Sequence, residues 1–229
     1  MNKLQSLCII TIFVTITGFS QSKSPLYLDA SQPVELRLED LMDRMTLEEK
    51  VYQMNQFVGL DHMRQAEKNL TEEELHSNDA QGFYKGLFSD DVAQMTKEGK
   101  IGSFLHVLTT EEANLLQELA LQSPLKIPIL IGIDAIHGNA LVSGTTVYPS
   151  PITLASTWSD SFLYDIGKQS AKEMRATGSH WAFTPNIDVL RDPRWGRVGE
   201  TFGEDPYMVG NMGAAMINGF QQGDFSGPE

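Results

Sequence analysis

Three times after Lys100, an apolar run gives way to a polar loop and then to a stretch of helical period. The runs are "IGSFLHV" (Ile101 to Val107), "IPILIGID" (Ile127 to Asp134) and "HWAFTPNIDV" (His180 to Val189), and each reads as a strand. After the first, Thr109 and Glu112 have the spacing of a helix cap, predicting a helix that reaches Gln122. A long loop follows the second run, then a helix from about Ser159 to Thr177. A highly charged loop follows the third, then a helix from Tyr207 to Phe220. The second run is continuously apolar, as expected of a parallel strand buried on both faces. Strand, loop and helix in repetition predict βα units on a parallel sheet.

Upstream the pattern is different. Leu36 to Met54 reads as helical, with Leu38, Leu41, Met42 and Met45 on one face and Leu47, Val51 and Met54 repeating it. Thr46 and Glu49 have capping-box spacing, which predicts two helices or a bend at Thr46. From Val58 to Gly99 the apolar period weakens, with Gly82, Gly86 and "SDD" at Ser89 to Asp91. This segment is expected to be a surface excursion. Thr71 with Glu74 could open a short helix, and Glu72 to Glu74 reads as its solvated start.

Two architectures fit: a doubly wound open sheet and a (β/α)8 barrel. No Gly-x-Gly-x-x-Gly follows a strand, so the dinucleotide fingerprint is missing. Polar residues gather just after strand ends, where barrel enzymes keep their sites. A barrel typically takes ~250 residues, and only three or four strands can be counted here. The expected fold class is therefore α/β, the N-terminal part of a (β/α)8 barrel that is incomplete in this chain.

Composition narrows the partners. The 229 residues are 41% hydrophobic and 21% charged, an ordinary globular balance, with a net charge of −13. Such a surface repels phosphate backbones and anionic membranes, so no nucleic-acid partner is expected. Lys3, the apolar run Leu4 to Ile16 and the small residues Gly18, Ser20 and Ser22 read as a secretory signal over residues 1–20, cut after Ser20. The run is too short for a membrane span, which needs ~20 apolar residues. Cys8, the single cysteine, lies inside this signal. A mature chain of residues 21–229 without cysteine fits a bacterial periplasm or cell surface. Asn69-Leu70-Thr71 is a glycosylation sequon that would matter only in a eukaryotic secretory route.

The candidate chemistry lies at two strand ends. "GIDAIHGNA" (Gly132 to Ala140) places Asp134 and His137 at the edge of an apolar run, with Gly132 and Gly138 leaving room beside them. A carboxylate there can accept from sugar hydroxyls; equally, Asp134 could cap its loop and His137 could be packed. Asp134, His137, His180 and Asp188 lack metal-site spacing, so neither a metal nor a cofactor is expected. The second place is "RDPRWGRVGETFGEDP" (Arg191 to Pro206). Its prolines and glycines exclude regular structure. Arg191, Arg194 and Arg197 face Asp192, Glu200, Glu204 and Asp205 in number, which predicts an internal lattice with one arginine free for a ligand. A rigid rack of this kind suits a polar, uncharged ligand.

"GIDAIHGNALVSGTTVYPSPITLAS" with "TPNIDVLRDPRWGRVGETFGEDPY" resembles the N-terminal barrel domain of glycoside hydrolase family 3, in its bacterial β-glucosidase branch. The likeness covers most of the chain after Pro33 and is weakest over Val58–Gly99. It implies that Asp134 and Arg197 hold sugar hydroxyls, that Glu200 orients the arginine, and that His137 stands close behind. It implies a structural rather than stacking role for Trp195. It also implies a retaining enzyme acting on β-glucosides or oligosaccharides, whose nucleophile, Lys-His pair and acid/base match no residue here and are expected beyond Glu229. Two alternatives stay open: a β-xylosidase, and a non-catalytic sugar-binding remnant. Xylosidases of the family tend to carry Glu-Ala-Leu-His-Gly where this chain has Asp134 to Gly138, which favours the glucosidase.

Overall fold

A computed structural model describes residues 24–71, 73–74, 84 and 86–222. The signal expected over residues 1–20, along with Glu72 and Gly82, lies outside the described residues. The chain forms two compact units that divide between Met45 and Thr46.

In the first unit a 3-10 turn, Leu26–Leu28, precedes helix α1, Val34–Arg44. Asp40 ties them together. Its Oδ2 accepts from the Tyr27 N–H at 3.1 Å, and Arg44 donates to both of its oxygens at 3.0 and 2.8 Å. Met45 leaves the helix with extended dihedrals, so the periodic stretch breaks where the capping signal predicts.

The second unit opens with α2, Leu47–Tyr52. Thr46 accepts from the Glu49 N–H, and the Glu49 carboxylate accepts from the Thr46 N–H, completing the capping box. Then come β1 (Gln56–Val58), α3 (Leu60–Asn69), α4 (Ser89–Lys97), β2 (Ser103–Leu105), α5 (Thr110–Ala120) and β3 (Leu130–Ile133). The series ends with α6 (Pro151–Ala155), α7 (Asp160–Ala176), β4 (Trp181–Ala182), a 3-10 turn at Val198–Glu200, and α8 (Pro206–Gln221). The strands pair in parallel in the order β1-β2-β3-β4. A doubly wound sheet reverses its strand order at a switch point. Here every strand adds on the same side, as in an arc of a (β/α)8 barrel.

Register assigns the two faces. Phe57, Phe104 and Ile131 are partners across three strands, and all three are buried among Met63, Val92 and Leu116 of the covering helices. Burying a side chain of this size stabilises by roughly 1.5–3 kcal/mol. The alternate row faces away from the helices. It contains Ser103, whose hydroxyl accepts from Gln56 Nε2 at 3.2 Å, and Leu130, which is 49% exposed. Helices α7 and α8 meet backbone to backbone: a Cβ on Gly167 would lie 2.4 Å from Met216 O, and one on Gly219 would lie 2.1 Å from Tyr164 O.

Three expectations need correction. Val58–Gly99 is not merely a surface excursion, because it carries α3 and α4 and abuts β1, and Leu60, Met63 and Val92 are fully buried. In α4 the buried face is shared by Ser89, Val92 and Thr96, two of them polar, so no apolar period registers. At its centre Thr71 does bond the Glu74 carboxylate through N–H and hydroxyl, at 2.9 and 2.7 Å. The third apolar run pairs only over Trp181–Ala182, since Pro185 has no N–H for a ladder. Helix α6, with Pro151 at its first position, lies inside what reads as one long loop.

Candidate functional site

Asp134 follows β3 and shares the parity of Leu130 and Gly132, so it belongs to the row facing away from the helices. Ala135 turns the chain with a φ of 49°. The sequence suggests that Gly132 and Gly138 leave room beside it, but the space at both glycines is already filled. A Cβ on Gly132 would lie 2.7 Å from the Phe183 ring, and one on Gly138 would lie 2.6 Å from Thr146 O and 2.7 Å from the Tyr148 ring. The room is filled by aromatic side chains, and Trp181 packs edge-on to Phe183 at 4.7 Å between centroids.

Asp134 has a partner that sequence reasoning missed. His106 Nε2 lies 2.8 Å from Asp134 Oδ2. The available signal was position: "IGSFLHV" places His106 at the end of β2 as "IPILIGID" places Asp134 at the end of β3. A lone histidine one residue past a strand carries no motif, and the pairing needs the β2–β3 register to become visible.

The loop Arg191 to Pro206 is anchored from within. Phe202 is 1% exposed and packs with Leu154, Leu163, Ile166, Val209 and Met212. Thr201 is fully buried and its hydroxyl donates to Asp188 O. Leu190 N–H donates to Gly203 O at 2.9 Å, closing the stem. Trp195 is half-buried. The charges lie outside this anchor, and the expected lattice reduces to local pairs. Arg194 Nε donates to both Asp192 oxygens at 2.9 and 3.1 Å, and Arg197 Nε donates to Glu200 Oε2 at 3.0 Å. Asp205 instead caps α8, accepting from the Tyr207 N–H at 2.8 Å. Among the described residues Arg191 and Glu204 join no ion pair. Tight turns bring together residues two or three apart, which is why a lattice across the whole loop does not form.

Glu200 is the hub of this group. Its Oε2 also accepts from Asn186 Nδ2 at 2.7 Å, a second contact that sequence reasoning missed. The hydrogen bonds from Arg197 hold the Glu200 carboxyl below its ordinary range, and Glu200 in turn raises the Arg197 guanidinium. Arg197 also feels the charges of Asp188 and Asp134, and Glu200 feels His137. Asp134 and His137 follow β3, and Arg197 and Glu200 lie in the loop after β4, so all four stand beyond the C-terminal ends of those strands. They offer one carboxylate acceptor from β3 and one anchored guanidinium from the loop, a pairing suited to hydroxyl groups of a neutral ligand.

His180 stands apart from them. It precedes β4, accepts from the Ile131 N–H at 3.3 Å, and burial pushes its imidazole below the ordinary value. Asp134, His137, His180 and Asp188 do not converge, and among the described residues no three His, Cys, Asp or Glu are grouped to hold a metal. A cavity of about 390 Å³ flanks β4, lined by Met174, Arg175, His180, Trp181 and Thr184; it holds none of Asp134, His137, Arg197 and Glu200.

Comparison with known proteins matches this chain to one family. The Glycosyl hydrolase family 3 N terminal domain matches residues 46–226. The chain is similar to the periplasmic beta-glucosidase of Salmonella typhimurium, with 30% identity over 184 residues, 80% of this chain and 20% of that protein. It is also similar to a beta-xylosidase of Formosa agariphila, with 39% identity over 129 residues, 53% of this chain and 18% of that protein. Among solved structures it resembles the beta-glucosidase from Listeria innocua in complex with isofagomine, at a TM-score of 0.62 and 31% identity, covering 82% of this chain and 23% of that one. The chain spans about a quarter or less of the length of these relatives.

Proposed function

Because the chain belongs to glycosyl hydrolase family 3, we propose that it forms part of a retaining β-glucosidase, releasing terminal non-reducing β-D-glucosyl residues from β-glucosides. In this reading residues 21–229 are part of the N-terminal barrel domain. Residues 1–20 are a cleaved secretory signal, and the protein works in the periplasm or at the cell surface. Asp134 accepts from one hydroxyl of the bound sugar and Arg197 donates to another. Glu200 fixes the arginine, and His137 supports the group from behind. Retaining hydrolysis needs one carboxylate to attack the anomeric carbon and another to protonate the leaving oxygen, before water releases the glycosyl-enzyme. Those two groups match no residue of this chain. They would come from the part of a relative-sized protein that lies outside it.

What supports this reading is that each candidate is already held by a neighbour: Asp134, after β3, by His106 at 2.8 Å, and Arg197, in the loop after β4, by Glu200 at 3.0 Å. The test is steady-state kinetics of the complete gene product on an aryl β-D-glucoside and an aryl β-D-xyloside. The glucoside should have the higher kcat/KM. The stretch shared with the Formosa beta-xylosidase favours a second reading, and a preference for the xyloside would establish it. Saturable glucose binding with no turnover of either substrate would identify a sugar-binding remnant.

A further inference from the structure

His106 is held in a backbone conformation that a histidine seldom adopts. Its φ is 57°, in the left-handed region. Strand alternation would carry residue 106 to the row of Phe104, against the helices. The left-handed turn breaks that alternation at the end of β2. Its N–H still donates to Gly132 O at 3.0 Å, one step beyond the β2–β3 ladder. Its carbonyl oxygen sits over Gly59, where a Cβ would approach to 2.9 Å. With its backbone fixed on both sides, the imidazole reaches Asp134 Oδ2 at 2.8 Å. An ionised carboxylate only accepts, so the shared proton lies on Nε2. The pair is not core: the imidazole is 28% exposed and the carboxylate 43%. An unusual backbone conformation beside a candidate site is a reason to look for a role.

We infer that His106 is a positioning residue for sugar recognition: its Nε2–H fixes Asp134 Oδ2 and leaves Oδ1 turned to accept from the sugar. This rests on the reading of Asp134 as a sugar-binding carboxylate. One consequence follows from the geometry: the carboxylate is locked before the ligand arrives, so binding does not have to order it.

The test uses the complete gene product carrying His106→Asn, His106→Gln or Asp134→Asn, assayed on an aryl β-D-glucoside and its monodeoxy analogues. Asparagine tolerates the left-handed backbone, but its amide reaches only about as far as Nδ1 did. Glutamine carries an N–H to about where Nε2 was. His106→Asn should lower kcat/KM at least ~10-fold, mainly through KM, with the melting temperature unchanged. His106→Gln should recover to within about threefold of wild type. His106→Asn and Asp134→Asn should lose discrimination at the same deoxy position. Wild-type kinetics in His106→Asn beside an impaired Asp134→Asn would overturn the inference and leave the Asp134 reading standing. An unimpaired Asp134→Asn, or an inactive wild type, would overturn both. Loss of activity together with a lowered melting temperature, without recovery in His106→Gln, would make His106 structural and also overturn it.

Discussion

Arg197 shows what a single residue contributes here. Its guanidinium is a planar fork, and Glu200 occupies part of that fork through Nε while Asn186 steadies Glu200 from the other side. Lysine would keep the charge without the fork. In the complete gene product, Arg197→Ala should lower kcat/KM on an aryl β-glucoside by roughly 10–100-fold, and Arg197→Lys should recover little of it. Equal kinetics for Arg197→Ala and wild type would remove Arg197 from the site. The Glu200 carboxyl is depressed, so its contribution is fully present above the ordinary carboxylate value near 4.3 and is lost only as pH falls through the lower folded value. The residues at this scale were unevenly legible in the sequence. Arg197 and Glu200 sit three apart, but the charge pattern alone predicts a lattice across the loop, and it is the family resemblance that pairs these two. His106 and Asn186 act across 28 and 14 residues and have no local pattern, so only the folded register reveals them.

At the scale of elements, Glu112 links two helices. Thr109 caps α5 by accepting from the Glu112 N–H at 3.2 Å, as its spacing predicts. The Glu112 carboxylate does not return to that cap. It is buried and accepts from the Asp61 N–H at 3.0 Å, capping α3 instead, in a slot kept open because Gly59 has no side chain. A local cap could be read from sequence; a cap borrowed from a helix 51 residues away could not. Burial outweighs the helix N-terminus and raises the Glu112 carboxyl above its ordinary value. Folded protein therefore holds this proton more tightly than unfolded chain does. Ionisation costs stability above the raised folded value, the cost is relieved as pH falls through it, and it is gone below about 4.3. Glu112→Gln keeps the acceptor and removes the charge. Thermal unfolding should show the variant melting about 2–4 °C higher at pH 8, with the difference closing by pH 4. A variant that melts lower at pH 8 would mean that α3 needs the charge.

At the scale of the whole molecule, the repeat of strand, loop and helix made the parallel sheet legible, and the absence of a dinucleotide fingerprint favoured the barrel. Sequential strand order, β1 to β4, then decides for it. What stayed hidden was β1, three residues long with only Phe57 fully in the core, and the shortness of β4. Both depend on pairing partners rather than on their own pattern. The sheet's helix-free row, where Leu130 and Trp181 remain 49% and 41% exposed, carries Asp134 at its end, so the architecture that buries one row delivers the candidate site on the other. The central claim is that this arrangement grips the glucosyl unit of a retaining enzyme. The most direct measurement is proton NMR of the complete gene product acting on an aryl β-D-glucoside, following the anomeric signal of the first sugar released. The β-anomer of glucose should appear first and only later equilibrate with the α-anomer; the α-anomer appearing first, or no glucose at all, would contradict it.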